Sequence, residues 1–355
     1  MAYQFFCASC KKGIVLDTRQ LPEQLQISCE TCQTHIFSYN TQPYPVPKAI
    51  ISPDSGSEKL FVGKYKIIRR LGSGAFGMVY QMEEIATGEM VAVKIMTCIG
   101  QEDIDKFLQY GSELQENYDD YHQQMFDRFH REACIMRTVD HSNIPKIKEV
   151  GNWNGQPYLA MEYFTGKTLA AMVKENGPMD QTDAVEYICT LGLTIYYLYS
   201  KFTMLHRDIK PENIIMHKMG NLYVPKLIDL GMGKLMDEVS MTKSHMLMGT
   251  PWYMAPEQMN AKYASHAADQ YALGSVLYFM LCGKPPYCQF SGNMNILRAK
   301  AQGLPYLPLR ELMEELGREL NPFVEKAIDR AMDFSPEKRF PDTKEMVRFL
   351  RENLN

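Results

Sequence analysis

His206-Arg207-Asp208-Ile209-Lys210-Pro211-Glu212-Asn213 is the stretch on which the reading of the chain turns. It has the form H-R-D-x-K-P-x-N, with an Asp and an Asn five positions apart and a Lys between them. A carboxylate can orient a hydroxyl and take its proton, a lysine can meet a developing anion, and an amide oxygen can hold Mg²⁺. Phosphoryl transfer needs such a set. H-R-D alone is a weak signal, but the eight-residue stretch is specific and the flanking sequence can test it.

Upstream, the alternating Tyr65-Lys66-Ile67-Ile68 predicts a strand that runs into Leu71-Gly72-Ser73-Gly74-Ala75-Phe76-Gly77-Met78-Val79, a G-x-G-x-x-G-x-V run. A lone G-x-G-x-x-G could equally open a dinucleotide-binding fold, where a helix follows. Here Met78-Val79-Tyr80 continues as a strand, and Val91-Ala92-Val93-Lys94 arrives as a second strand carrying a lysine. Downstream, Lys226-Leu227-Ile228-Asp229-Leu230-Gly231 supplies a D-x-G element, and Ala255-Pro256-Glu257 closes the segment after it. Ala184–Phe202 predicts a buried helix leading into the 206–213 stretch.

In this order, residues 61–352 resemble the eukaryotic-type (Hanks-type) serine/threonine protein kinases, bacterial members included. The resemblance implies an α+β bilobal protein kinase fold, with a small lobe and hinge over 61–164 and a large lobe over 165–352. It implies ATP and Mg²⁺ as cofactors and transfer of the γ-phosphoryl group to protein Ser/Thr hydroxyls, autophosphorylation among them. Asp208 is then the base or orienter, Lys210 stabilises the transferred group, and Asn213 and Asp229 hold Mg²⁺. Lys94 holds the α- and β-phosphates, and Glu132 is its helical partner. Leu71, Gly72, Gly74 and Gly77 cover the nucleotide. Val79, Ala92, Met161 and Ile215 surround the adenine, with backbone groups of Glu162 and Phe164 pairing with it. Thr250, with Lys210, matches the Ser/Thr-specific pattern. Asp269 matches a buried Asp that ties down the catalytic loop, and Arg339 matches the arginine that pairs with Glu257. Leu230 stands where most relatives have Phe and keeps an apolar plug.

Before this region lies a different module. Cys7-x-x-Cys10 and Cys29-x-x-Cys32 are separated by 18 residues, the spacing of a four-cysteine Zn²⁺ site. Ile14-Val15-Leu16 and Leu25-Gln26-Ile27 read as short strands between them, so residues 1–40 resemble a zinc ribbon. So short a segment lacks an adequate core, and structural Zn²⁺ would supply its folding energy. Residues 41–60, with Pro43, Pro45, Pro47, Pro53 and Gly56, read as a Pro/Ser/Gly-rich linker.

The 355 residues suffice for two domains, and a net charge of -4 argues against a nucleic-acid or anionic-membrane surface. The ribbon holds only Lys11, Lys12 and Arg19 as basic residues, which weighs against a nucleic-acid-binding ribbon with an appended kinase. No apolar run reaches the length of a membrane span, the N-terminus lacks the pattern of a secretion signal, and nine cysteines fit a reducing compartment, so the cytoplasm is expected. The competing reading is a catalytically weak kinase-fold scaffold whose zinc ribbon recruits a protein partner. It predicts loss of Lys94, Asp208, Asn213 or Asp229, and all four are present.

Two further expectations concern regulation. Residues 101–125 are acidic and carry apolar residues at helical spacing, which predicts an amphipathic helix, packed on the small lobe in the favoured reading and a regulatory or dimerisation surface in the alternative. Arg128, Arg207 and Lys234 match a pocket for an activation-loop phosphate, with Thr242 and Ser244 as the candidate acceptors.

Overall fold

The computed structural model describes residues 2–6, 13–17, 24–28, 35–40, 60–74, 77–96, 133, 136–153, 156–229, 251–259 and 265–354. Glu132, Leu230, Thr250, Cys7, Cys10, Cys29, Cys32, Arg128, Lys234, Thr242, Ser244 and the 101–125 segment lie outside them, as do residues 41–59. The chain divides into a small unit, Met1–Asp140 with Lys146–Tyr163, and a large unit, His141–Pro145 with Phe164–Asn355.

In the small unit, β1 (Ala2–Phe6) pairs antiparallel with β2 (Gly13–Asp17), and β3 (Gln24–Ser28) with β4 (His35–Asn40). The main sheet comprises β5 (Tyr65–Gly74), β6 (Gly77–Glu84), β7 (Glu89–Ile95), β8 (Ile147–Trp153) and β9 (Gln156–Glu162). Its order is β5-β6-β7-β9-β8, antiparallel throughout. Strand alternation sorts the residues onto two faces. Val91, Val93 and Ile95 of β7 join Met82, Tyr158, Ala160, Phe61 and Tyr65 in one core cluster. Their neighbours Ala92 and Lys94 point to the opposite face, where the register sets Lys94 beside Val79 and Leu159, and Ala92 beside Met161.

The large unit opens with β10 (Gly166–Thr168), which runs into α1 (Leu169–Asn176), capped by the Thr168 hydroxyl accepting from Ala171 N–H. Helix α2 spans Gln181–Phe202. It begins one turn before the expected Ala184 because Asp180 caps it, its carboxylate accepting from Thr182 and Asp183 N–H. The apolar run reveals the buried face, while the cap decides where the helix starts. Strands β11 (Ile214–Met219) and β12 (Leu222–Leu227) form a hairpin that extends β10.

Helix α3 (His266–Cys282) is the centre of this unit. Ser265 caps its start, and Gly283 ends it in the left-handed conformation. It is buried on nearly all sides, as befits a helix that is apolar all round. A methyl group at Gly274 would come within 2.9 Å of the Ala331 side chain, so the glycine sets the approach to its neighbour. Helix α4 (Asn293–Ala301) reaches it through Lys300, α5 (Leu309–Glu315) and α6 (Pro322–Ala331) pack against it, and α7 (Thr343–Glu352) packs on α2 and α6. Among the described residues no helix is long and apolar enough to cross a membrane.

Candidate active site

After α2 the chain turns at Thr203, which adopts a left-handed φ of 53° and returns its N–H to the helix. Residues 203–210 have no repeating structure, so their backbone groups must find partners elsewhere. Asp269 on α3 provides them. Its Oδ2 accepts from His206 N–H at 2.9 Å and its Oδ1 from Arg207 N–H at 2.8 Å. These two bonds hold Arg207 at a φ of 61°, a conformation that costs a non-glycine residue free energy. Full burial pushes the Asp269 carboxyl up, while His206 and the two backbone donors pull the other way.

The backbone so fixed presents Asp208. Its Oδ2 accepts from Lys210 Nζ at 2.8 Å and from Asn213 Nδ2 at 2.9 Å, and the same Nδ2 also donates to Asp208 O at 2.9 Å. Asn213 sits in the short 3₁₀ turn Pro211–Asn213, with Ile209 and Ile214 anchoring it in the core. The β11–β12 hairpin then brings the chain back. Ile228 N–H donates to Asn213 O at 2.9 Å, which puts Asp229 next to the asparagine. Asp229 has a left-handed φ of 59°. Asp208, Lys210, Asn213 and Asp229, expected together from sequence, thus share one side of the large unit.

The segment 251–257 is held against the same helix. Glu257 makes a bidentate pair with Arg339, at 2.7 and 2.9 Å. The arginine is 2 % exposed and also donates to Ala267 O and Asp333 O. Gln258 joins this segment to the catalytic loop, accepting from Ala255 N–H at 2.8 Å and donating to Arg207 O at 3.2 Å. A cavity of about 20 Å³, lined by Asp208, Lys210, Tyr253, Met254 and Gln258 among others, separates the two stretches and is large enough for one water.

In the small unit, Val79, Ala92, Lys94 and Met161 lie on one face of the sheet, and Lys94 is 6 % exposed. The β5–β6 hairpin closes at Gly74 opposite Gly77, while Leu71 and Gly72 are exposed farther down β5. Gly77 has a φ of 145°, and a Cβ there would fall 2.1 Å from Ile95 O, so no other residue fits without moving β7. Glu162 ends β9, with its N–H donated to Lys146 O. In the large unit, Phe164 is buried beneath the Lys226 ammonium, 4.8 Å from its ring centroid. Ile215 pairs with Thr168 and Lys226.

Sequence reading missed Gln258 and Lys300. The buried Lys300 hydrogen-bonds the backbone of the 251–254 stretch. A glutamine one residue past A-P-E carries no signal of its own. Lys300 stands four residues after the buried Ile296 on α4, and only that helical spacing could have placed it on the inner face.

An antiparallel five-stranded sheet with a lysine on its middle strand, and a helical unit bearing H-R-D-x-K-P-x-N and D-x-G, are the two parts of the protein kinase fold. The family model described as the protein kinase domain matches residues 65–348, and the chain belongs to this family. It is 28% identical over 292 residues to the probable serine/threonine-protein kinase PknB of Lactococcus lactis, covering 81% of this chain and 42% of that protein. It is 31% identical to the serine/threonine-protein kinase PrkC of Bacillus subtilis, covering 64% of this chain and 32% of that protein. The chain therefore spans less than half the length of these relatives. Among solved structures, the PknI kinase domain of Mycobacterium tuberculosis superposes with a TM-score of 0.60 at 20% identity, covering 85% of this chain and 99% of that one. A Rad53 structure does so at 0.63 and 21%, covering 81% and 66%.

Proposed function

We propose that the chain is an ATP-dependent serine/threonine protein kinase. The observation that carries this is the Asp208 carboxylate, held between Lys210 and Asn213 on a loop pinned by Asp269. In this reading Asp208 orients the Ser/Thr hydroxyl and takes its proton, and Lys210 then faces the transferred phosphoryl group. Lys94, partnered by Glu132, holds the α- and β-phosphates, Leu71, Gly72, Gly74 and Gly77 cover them, and Val79, Ala92, Met161 and Ile215 receive the adenine beside backbone groups of Glu162 and Phe164. Thr250 belongs to the Ser/Thr-specific pattern.

The donor set fits Mg²⁺. Asn213 spends its Nδ2 on Asp208, which leaves Oδ1 as the atom for a hard cation, and Asp229 adds a carboxylate. Among the described residues no cluster of three or more His, Cys, Asp or Glu could hold a metal. A two-residue oxygen set completed by phosphates is how kinases hold this ion. Bound Mg²⁺ neutralises phosphate charge.

The division into 1–40, 41–60 and 61–352, the cytoplasmic location, a Zn²⁺ ion on Cys7, Cys10, Cys29 and Cys32, and recruitment of a protein partner by that ribbon belong to the same proposal. Support for zinc comes from the spacing and from each C-x-x-C falling in the connection of a two-stranded hairpin. One zinc per chain by elemental analysis is the expected result. Thr242 and Ser244 are the proposed autophosphorylation sites, to be located by mass spectrometry.

Purified protein with Mg·ATP should phosphorylate itself or a generic Ser/Thr peptide. Asp208→Asn should lower kcat by roughly 10²–10⁴-fold, and Lys94→Met should be similarly crippling. Equal, negligible transfer by wild type and Asp208→Asn would favour the scaffold reading instead.

A further inference from the structure

Lys300 is among the largest fully buried side chains of the protein, at 1 % exposure. It lies on α4, whose Ile296 and Ala299 pack with Tyr287 and Trp252 in a small core. Its ammonium donates to Trp252 O at 2.8 Å and to Met254 O at 2.6 Å. The Tyr271 and Tyr287 rings cover it, with centroids 4.9 and 5.0 Å away. Among the described residues it has no carboxylate of its own, because Glu257 is committed to Arg339. Burial pushes this ammonium well below the usual lysine range, with Glu257 acting against that and Arg339 with it.

A buried cation of this kind is costly, and an apolar residue of similar volume fills such a space as well or better. What methionine cannot do is bind the two carbonyls. Those carbonyls belong to a stretch whose Tyr253 and Met254 line the cavity beside Asp208 and Lys210. Tyr253 and Met254 thus share this cavity with Asp208, so a polypeptide that offers a hydroxyl to Asp208 would pass close to them.

We propose that Lys300 is a positioning residue for the protein substrate: it fixes the 251–254 backbone in the shape that seats the peptide around the accepting hydroxyl. This rests on the kinase reading. Catalysis itself stays with Asp208.

The test uses the full chain with Lys300→Met and Lys300→Gln, the latter keeping one amide donor for the carbonyls. Lys300→Met should raise the KM for a Ser/Thr peptide roughly tenfold, the loss expected for about 1.4 kcal/mol of positioning, while the KM for ATP stays within about twofold. Lys300→Gln should recover part of the loss. Amide exchange measured without nucleotide or peptide should quicken about tenfold at residues 254–258 in Lys300→Met, again about 1.4 kcal/mol, and stay as in wild type along α3. An unchanged peptide KM with unchanged exchange overturns the proposal. So does a parallel loss of ATP and peptide affinity with a lower unfolding midpoint, and so does failure of both variants to fold, since each assigns Lys300 to the core alone. Should the wild type transfer no phosphoryl group at all, the kinase reading fails. The exchange measurement still decides whether Lys300 orders the segment.

Discussion

The catalytic loop at 206–210 and the segment at 251–257 meet the same physical problem with opposite charges. Each lies against α3, the loop without repeating structure and the segment as the short 3₁₀ turns Pro251–Tyr253 and Pro256–Met259, and each leaves backbone groups that no helix or sheet ladder satisfies. The loop turns two N–H groups inward, and the carboxylate of Asp269 collects both. The segment turns two carbonyls inward, and the ammonium of Lys300 collects both. The ring of Tyr271, two residues after Asp269, meets both Lys300 and Arg339, its centroid 4.9 and 5.1 Å from them. The sign of a buried charge thus follows from which half of the peptide group faces the core. Charges so placed are costly as fillers and effective as position markers.

Breaking the segment's other anchor should have the largest effect on stability. Arg339→Ala leaves the Glu257 carboxylate buried without its partner, which typically costs about 3–5 kcal/mol. Replacing both partners by apolar residues of similar volume, Arg339→Met with Glu257→Leu, should recover much of that loss while leaving peptide binding impaired. Urea unfolding followed by a peptide KM measurement separates the two. A double variant that is as unstable as Arg339→Ala would show that these charges are structural fillers, and the comparison would lose its force.

On the loop side the isosteric change is Asp269→Asn. It keeps one acceptor and turns an N–H₂ toward the second backbone donor, stranding it at about 1–3 kcal/mol. The loop should shift with it, and a displacement near 1 Å can cost about 10²-fold in kcat. Peptide KM should move much less than kcat, the reverse of the pattern for Lys300→Met. Matching profiles in the two variants would mean that the segments move as one.

The link between them offers a smaller test. Gln258→Ala removes the bonds to Ala255 N–H and Arg207 O, each worth about 0.5–1.5 kcal/mol net. Both kcat and peptide KM should worsen modestly, by roughly tenfold or less. A change in only one would show that Gln258 serves one segment alone.

How much of this was legible depends on which residue carries the constraint. Asp208, Lys210, Asn213 and Asp229 lie in contiguous motifs, and α3 is bracketed in the sequence by its Ser265 cap and Gly283, so the kinase fold and the proximity of these four residues could be expected from them. Asp269 and Arg339 were legible through their family positions. Lys300 was not, because a lysine on a short helix ordinarily reads as solvated, and the carbonyls it serves lie 46 and 48 residues away. The same blindness covers Lys64 and Glu149 in the small unit, 85 residues apart. Neither sits in a motif, and β5, which follows Lys64, and β8, which carries Glu149, stand at opposite ends of the strand order, so no strand pairing announces the contact.

That pair sharpens the contrast from outside the loops, because its members sit on regular strands or beside them and are half exposed rather than buried. Glu149 Oε2 accepts from Lys64 Nζ at 2.7 Å and Tyr65 OH at 2.8 Å, and its Oε1 from Tyr158 OH at 2.5 Å. Burial pushes the Glu149 carboxyl up, but Lys64 and the two tyrosine hydroxyls outweigh it, and the group is held below the usual carboxylate range. Lys64 is raised, mainly by Glu149. A depressed carboxyl contributes stability that is present above its ordinary pKa of 4.5 and lost as pH falls through its folded value. The raised Lys64 keeps its charge throughout that window, and Glu84, which also pairs with Lys64 and is held low by it, titrates in both proteins, so the difference between them reads Glu149. Glu149→Gln should therefore lower the small unit's stability at pH 7 by about 1 kcal/mol or less, as for other partly exposed pairs, and the gap to wild type should narrow as pH falls below the ordinary carboxyl value of 4.5. The chain has two tryptophans, Trp153 in the small unit and Trp252 in the large one. Trp153 fluorescence in a Trp252→Phe background, followed in urea from pH 7 to pH 3.5, reads the small unit alone. A gap that stays constant across this range would mean that Glu149 acts through packing, and that charge placement matters in this protein only where backbone groups are buried.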